Sequence, residues 1–183
     1  MATRKFDRAQ LAVASGVFVL VAIHLGWELM HGGVASHHLF ARADMPSMSN
    51  WWGIVLVPAL AWFVAGRVLG REINGGAGDG SIPWNIRRAL PAFCGALVYG
   101  AVLALSFAFG FGVEGYLFFA LFGIGLVLPI YRGEYLLGFV LGMMGTFGGI
   151  LPIIFGAVVA TISWLAHTLF RSIGRLARRF KRD

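Results

Sequence analysis

The sequence predicts an all-α integral membrane protein: a bundle of about six transmembrane helices followed by a C-terminal amphipathic interfacial helix. Three observations carry this expectation. The 183 residues are 58% hydrophobic and only 13% charged, against about 25% charged residues in an ordinary soluble domain. The mean hydropathy is +0.79. The apolar residues also gather in blocks close to the roughly 20 residues that an α-helix needs to cross hydrocarbon, with the charges swept into the gaps. A β-barrel would instead alternate apolar and polar positions in runs of about ten residues, and no such pattern is present.

The first span is expected over Leu11–His31, after the basic leader MATRKFDR, and is interrupted only by Ser15, His24 and Glu28. Gly32 and Gly33 end it, as glycine commonly does just past a helix C-terminus. Leu11–Met30 is longer than the apolar core of a secretory signal, which favours a retained anchor. The second span, Trp51–Gly66, opens on two tryptophans suited to interface depth. A connector rich in arginine and glycine follows; its GGAGDG run follows no strand pattern, so a flexible link is expected rather than a phosphate cradle. The third span is placed at Ala89–Phe109 and the fourth at Tyr116–Tyr131.

Tyr135–His167 is too long for one crossing: at 1.5 Å per residue it would measure about 50 Å, against about 30 Å of hydrocarbon. The GTFGGILP cluster, Gly145–Pro152, divides it into spans at Tyr135–Phe147 and Ile150–Phe170, the first short or re-entrant. Reading it as a single tilted helix gives five spans, the alternative. Residues 1–170 then form one transmembrane domain and residues 171–183 a basic amphipathic tail. Over LFRSIGRLARRFKRD, which enters that tail, Leu169, Ile173, Leu176 and Phe180 share one helical face, with Arg171, Arg175, Arg178, Arg179 and Arg182 around the other.

Net charge is +7. The basic residues flank hydrophobic segments, so membrane lipid, and anionic phospholipid at the tail, are the expected partners, and nucleic acid is not. A homo-oligomer or a partner subunit stays open. The leader, the Arg67–Arg88 loop and the tail all carry clustered arginine and lysine, so an even number of crossings puts both termini in the cytoplasm of a multi-pass inner-membrane protein. The single Cys94 rules out an intrachain disulfide and is expected to be a small core residue.

Four of the five histidines fall in IHLGWELMHGGVASHHLFARADMPSMSNWW, Ile23–Trp52, at the end of an apolar run. At about 100° per residue, His24, Glu28 and His31 form one stripe on the last two turns of the first helix. The following loop would bring His37, His38 and Asp44 to the same level. Ionisable groups inside a span cost about 3 kcal/mol each on insertion scales and are rare without a partner or a function. Imidazole with carboxylate is the ordinary ligand set for zinc and also suits iron or copper. The set His24, Glu28, His31, His37, His38 and Asp44 is therefore the candidate metal site, for a divalent ion with zinc favoured. Glu28 or Asp44 would complete the shell or serve as general base. His167, at the other end of the last span, is expected to be an interfacial residue rather than a haem partner of His24.

The functional expectation is a metal-dependent membrane enzyme, a zinc-dependent intramembrane hydrolase acting on a lipid-like or amphipathic substrate at a periplasm-facing site. One alternative is a small transporter or channel using the Glu28–histidine cluster as gate or proton relay, in keeping with the broken GTFGGILP segment. A non-catalytic accessory subunit, its glycine-rich faces used for helix packing, is the other.

Overall fold

A computed structural model describes residues 2–34, 36–38, 47–73 and 84–180. Among these residues six α-helices follow one another: α1 Ala2–Met30, α2 Gly53–Ile73, α3 Trp84–Phe109, α4 Glu114–Val127, α5 Gly133–Phe147 and α6 Ile150–Phe180. Between α1 and α2, the strands β1 (Ser36–His38) and β2 (Ser47–Ser49) pair as an antiparallel ribbon. A single 3-10 turn over Asn50–Trp52 leads from β2 into α2. The GGAGDG connector lies outside the described residues.

Among the described residues four helices are long and apolar enough to cross a membrane: Arg8–Met30, Asn50–Gly70, Ile86–Phe109 and Ile150–Arg175. This corrects the expectation of six spans. The 14 residues of α4 and the 15 of α5 reach only about 20 Å at the α-helical rise, short of the hydrocarbon thickness. Pro129 accounts for the early end of α4, because the residue before a proline is driven out of the α region. Leu128 accordingly has φ −98° and ψ 144°. The five-span alternative also gives way, since the chain breaks between α5 and α6. Gly148, at φ 67°, takes a left-handed conformation that glycine tolerates and bulkier residues resist.

Packing contacts fix the direction of each helix. Gln10 at the start of α1 donates to the Trp62 carbonyl late in α2 (3.2 Å), while Glu28 at the end of α1 meets Asn50 just before α2. These two helices are therefore antiparallel. On α5, a Cβ at Gly138 would strike the Phe93 carbonyl and one at Gly142 the Leu97 carbonyl, so α3 and α5 run parallel in close backbone contact. Small residues permit such an approach, the usual device for helix association in lipid. The rings of Phe118 and Phe155 stack at 4.0 Å, and Ser163 Oγ donates to the Gly125 carbonyl at 2.7 Å. That makes α4 and α6 parallel. Helices α1, α3 and α5 thus point one way and α2, α4 and α6 the other, with the start of α1 and the far end of α6 at the same end of the bundle.

Short as it is, α5 occupies the centre. Leu137 and Val140 join Val17, Val21 and Leu25 of α1 and Val57, Ala61 and Val64 of α2 in one core cluster. Phe139 and Met143 join Leu103, Leu121, Ile130 and Val159 in a second. Large apolar side chains such as Phe18, Leu20, Phe63, Val98, Phe119 and Leu165 face outward, which is ordinary for a chain whose surroundings are lipid and foreign to a soluble monomer. Cys94 is exposed on α3, correcting its expected place in the core. The tail is helical through Phe180 as a direct continuation of α6; no break separates it from the last span.

Charge is divided between the two ends. Arg8, Arg67, Arg87, Arg88, Arg132, Arg171 and Arg175 all lie at or near the end shared by the start of α1 and the far end of α6. Glu28 and Glu114 lie at the opposite end. Among the described residues the buried acid at the basic end is Glu134, paired with Arg132 at 2.8 Å.

Candidate functional site

The stripe on α1 is only partly assembled. His24 Nε2 lies 3.3 Å from Glu28 Oε1, and both side chains are largely enclosed, at 18% and 16% exposure. The approach is close but off the hydrogen-bond direction, and His24 Nε2 is buried without a hydrogen-bond partner. Glu28 Oε1 accepts a 2.8 Å hydrogen bond from Asn50 Nδ2. Asn50 is itself buried, at 4% exposure.

His31 does not join them. Helix α1 ends at Met30, and the Glu28 carbonyl accepts from the amides of both His31 (3.1 Å) and Gly33 (3.0 Å). Gly32 and Gly33 then turn the chain at φ 122° and 101°. Past Met30 the 100° spacing no longer applies, and the imidazole folds back on its own helix. It stacks on Trp27 at 3.8 Å between ring centroids, with Nδ1 2.9 Å from the Trp27 carbonyl, in an exposed position.

The backbones of His37 and His38 pair with Met48 and Ser47 in the β1–β2 ribbon. Their side chains, and Asp44 altogether, lie outside the described residues. Among the described residues no group of three or more histidine, cysteine, aspartate or glutamate side chains could hold a metal ion. Of the expected ligands whose side chains are described, His24 and Glu28 come together and His31 stands apart; a zinc site takes three or four donors from the protein. His167 hydrogen-bonds within α6, its Nδ1 2.9 Å from the Ser163 carbonyl, and meets Tyr131 edge-on. It stands at the opposite end of the bundle from His24, as expected.

The residue that sequence reasoning passed over is Asn50. It sits in SNWWG (Ser49–Gly53), just before the two tryptophans that read as the interfacial opening of the second span. Asn50 touches two functional features at once. Its amide nitrogen holds Glu28, and its side chain fills the space beside Gly148, where a Cβ would collide with Asn50 Oδ1. Gly149 continues this contact against Gly53, where a Cβ would approach Gly53 Cα at 3.0 Å. Glu28 of α1, the head of α2 and the α5–α6 break thus meet at one point.

Chemically, the arrangement couples a proton site to a joint. A carboxylate beside an imidazole is a pair able to share or exchange a proton. A carboxylate is a stronger acceptor than a neutral carboxylic acid, so Asn50 holds Glu28 tightly when that group is ionised and loosely when it is protonated. The same asparagine braces the glycine hinge.

No family model, no curated protein and no solved structure matches this chain.

Proposed function

We propose that this protein is a multi-pass inner-membrane protein with both termini in the cytoplasm, working as a small proton-linked transporter gated at His24, Glu28 and Asn50. The orientation rests on the positive-inside rule applied to the basic end of the bundle. The continued basic stretch of α6 would then meet anionic lipid at the cytoplasmic surface. The gate rests on one observation: the hydrogen bond from Asn50 to Glu28 is made by the residue that packs against the Gly148–Gly149 break. Ionisable groups inside membrane helices mark proton relays and substrate pathways, and interrupted helices line the moving parts of transporters. Protonation at the pair slackens the brace, and the joint between α5 and α6 is the element free to respond.

A thiol reporter tests the coupling. In a Cys94→Ser background, Thr146→Cys places a maleimide target two residues before the hinge. Its labelling rate should differ about fivefold or more between the native chain and Glu28→Gln, which fixes the pair without a carboxylate. Equal rates in the two proteins would remove the gate. Proton flux into liposomes driven by a potassium gradient should likewise depend on Glu28.

The metal-dependent hydrolase is the second reading, and one observation favours it. The ribbon register sets His37 and His38 alongside β2, the strand that runs directly into Asn50, so the loop histidines are tethered close to His24 and Glu28. Elemental analysis of the purified protein distinguishes the readings: one zinc per chain, lost in His24→Ala, supports the enzyme.

A further inference from the structure

At the basic end of the bundle, the far turns of α6 and the α4–α5 connection border an open groove of about 740 Å³, a volume typical of ligand sites. From α6 it is lined by Trp164, His167, Thr168, Arg171 and Arg175, which share one helical face at three- and four-residue spacing. Tyr131 lines it from the α4–α5 connection, meeting His167 edge-on at 5.6 Å and accepting a hydrogen bond from Arg171 Nη2 at 3.1 Å. His167 is fixed in turn by the contact of its Nδ1 with the Ser163 carbonyl, at 2.9 Å. Arg171 Nε donates to the His167 carbonyl; Arg175 donates from Nε to the Arg171 carbonyl and from Nη2 to Ser172 Oγ. All of these acceptors are neutral oxygens. A guanidinium has five N–H donors, so each arginine uses two and keeps its Nη1 donors for a ligand. Among the described residues neither arginine meets a carboxylate.

We infer that this groove holds the phosphate of one anionic phospholipid between Arg171, Arg175 and the Tyr131 hydroxyl, which rests on the reading of α6 as meeting anionic lipid and not on the gate. Depth points to a lipid. The apolar stretch of α6 ends at Arg175, so the two arginines stand where a span passes from hydrocarbon into headgroups. The groove runs from them back to Trp164, half-exposed and of the residue type enriched at that boundary. Leu165, Leu169 and Phe170 are exposed on the same stretch of α6, a surface for the acyl chains. Charge selects among lipids. Two guanidiniums lie one helical turn apart, and among the described residues no carboxylate lines the groove. That favours a headgroup of net negative charge and opposes the cation of a zwitterionic one. The planar fork of arginine matches phosphate oxygens two at a time. Because the Tyr131 oxygen accepts from Arg171, its own proton is left to donate to the phosphate.

Native mass spectrometry of the full chain, released from detergent with an equimolar mixture of phosphatidylglycerol and phosphatidylcholine, tests the site. The wild type should retain one phosphatidylglycerol in preference to phosphatidylcholine. Arg175→Gln removes hydrogen bonds within α6 alone, so it leaves the contact with the α4–α5 connection in place. It should cut the preference about fivefold, the effect of one basic residue near a membrane surface. Arg171→Gln with Arg175→Gln should cut it about twentyfold or more. Arg8→Gln with Arg67→Gln removes the same charge from the same end of the bundle, outside the groove, and should leave the preference nearly unchanged. Inorganic phosphate in excess should not displace the lipid, since the chains as well as the phosphate hold it. Equal losses in the two double variants would mean diffuse attraction to the basic end; they overturn the site and leave the reading of α6 as meeting anionic lipid intact. Equal retention of the two lipids by the wild type, or retention of neither, overturns both. Displacement by inorganic phosphate assigns the groove to a free anion and overturns the lipid.

Discussion

Asn50 Nδ2 donates a 2.8 Å hydrogen bond to Glu28 Oε1, joining two residues 22 positions apart at the point where the α5–α6 break also arrives. The pairing gives a carboxylate inside a membrane helix a neutral donor, and it ties the end of α1 to the head of α2. Removing the donor takes a hydrogen bond from an enclosed acceptor. Asn50→Ala should therefore lower stability by about 1–3 kcal/mol, read as a fall in the thermal midpoint in detergent. Asn50→Asp should cost more, because it sets two carboxylates in contact. Glu28→Gln preserves an oxygen able to accept from Asn50 and should leave the midpoint nearly unchanged. An Asn50→Ala midpoint equal to wild type would mean that the bond carries no weight.

The glycines of the bundle divide into two kinds, and substitution should separate them. Gly138 and Gly142 lie where any Cβ meets the backbone of α3, whereas nothing stands within 4 Å of a Cβ on Gly123. Gly142→Val forces α3 and α5 apart and should prevent recovery of monodisperse protein. Gly123→Ala, in the middle of α4, should be neutral or stabilising by up to about 1 kcal/mol through helix propensity. Normal yield of Gly142→Val would contradict the backbone contact between α3 and α5.

His24 and His31 should behave as unrelated residues despite their shared stripe. His31→Ala removes an exposed stack on Trp27 and should shift stability by no more than about 0.5 kcal/mol, with no change in the labelling rate at the hinge. His24→Ala should change that rate. Parallel behaviour of the two variants would instead mean a common site, and should be checked against metal content.

At the basic end, Glu134 is 2% exposed and Arg132 reaches its Oε1 at 2.8 Å. Arg132→Ala removes this ion pair from a buried carboxylate and should cost about 1.5–3 kcal/mol, the range for hydrogen bonds to charged groups. Arg132→Ala combined with Glu134→Gln should recover part of the loss in the same melting experiment, since the second change removes the charge that Arg132 had balanced. Additive losses would show that the pair does not act as one.

Topology has its own test. A reporter active only in the periplasm should be silent when fused after Asp183 and active when inserted at Ala41. An active C-terminal fusion would invert the orientation drawn from the basic end.

Much of this architecture could be read from local sequence. Blocks of apolar residues near spanning length mark α1, α2, α3 and α6, the helices long and apolar enough to cross a membrane, because an unsatisfied backbone in hydrocarbon leaves few alternatives to a helix. Gly148 and Gly149 mark the α5–α6 break by composition alone, and Gly32 and Gly33 mark the end of α1. Three things required the tertiary structure. Hydrophobicity cannot distinguish a lipid-facing span from a short helix buried by its neighbours, so α4 and α5 looked like crossings although α5 is the core about which the others pack. The periodic stripe His24–Glu28–His31 holds only while the backbone is helical, and the turn at Gly32 sends His31 back onto Trp27. Asn50 acquires its partners, Glu28 and the Gly148 hinge, only through long-range packing, because a residue's neighbours across helices leave no mark in its local sequence.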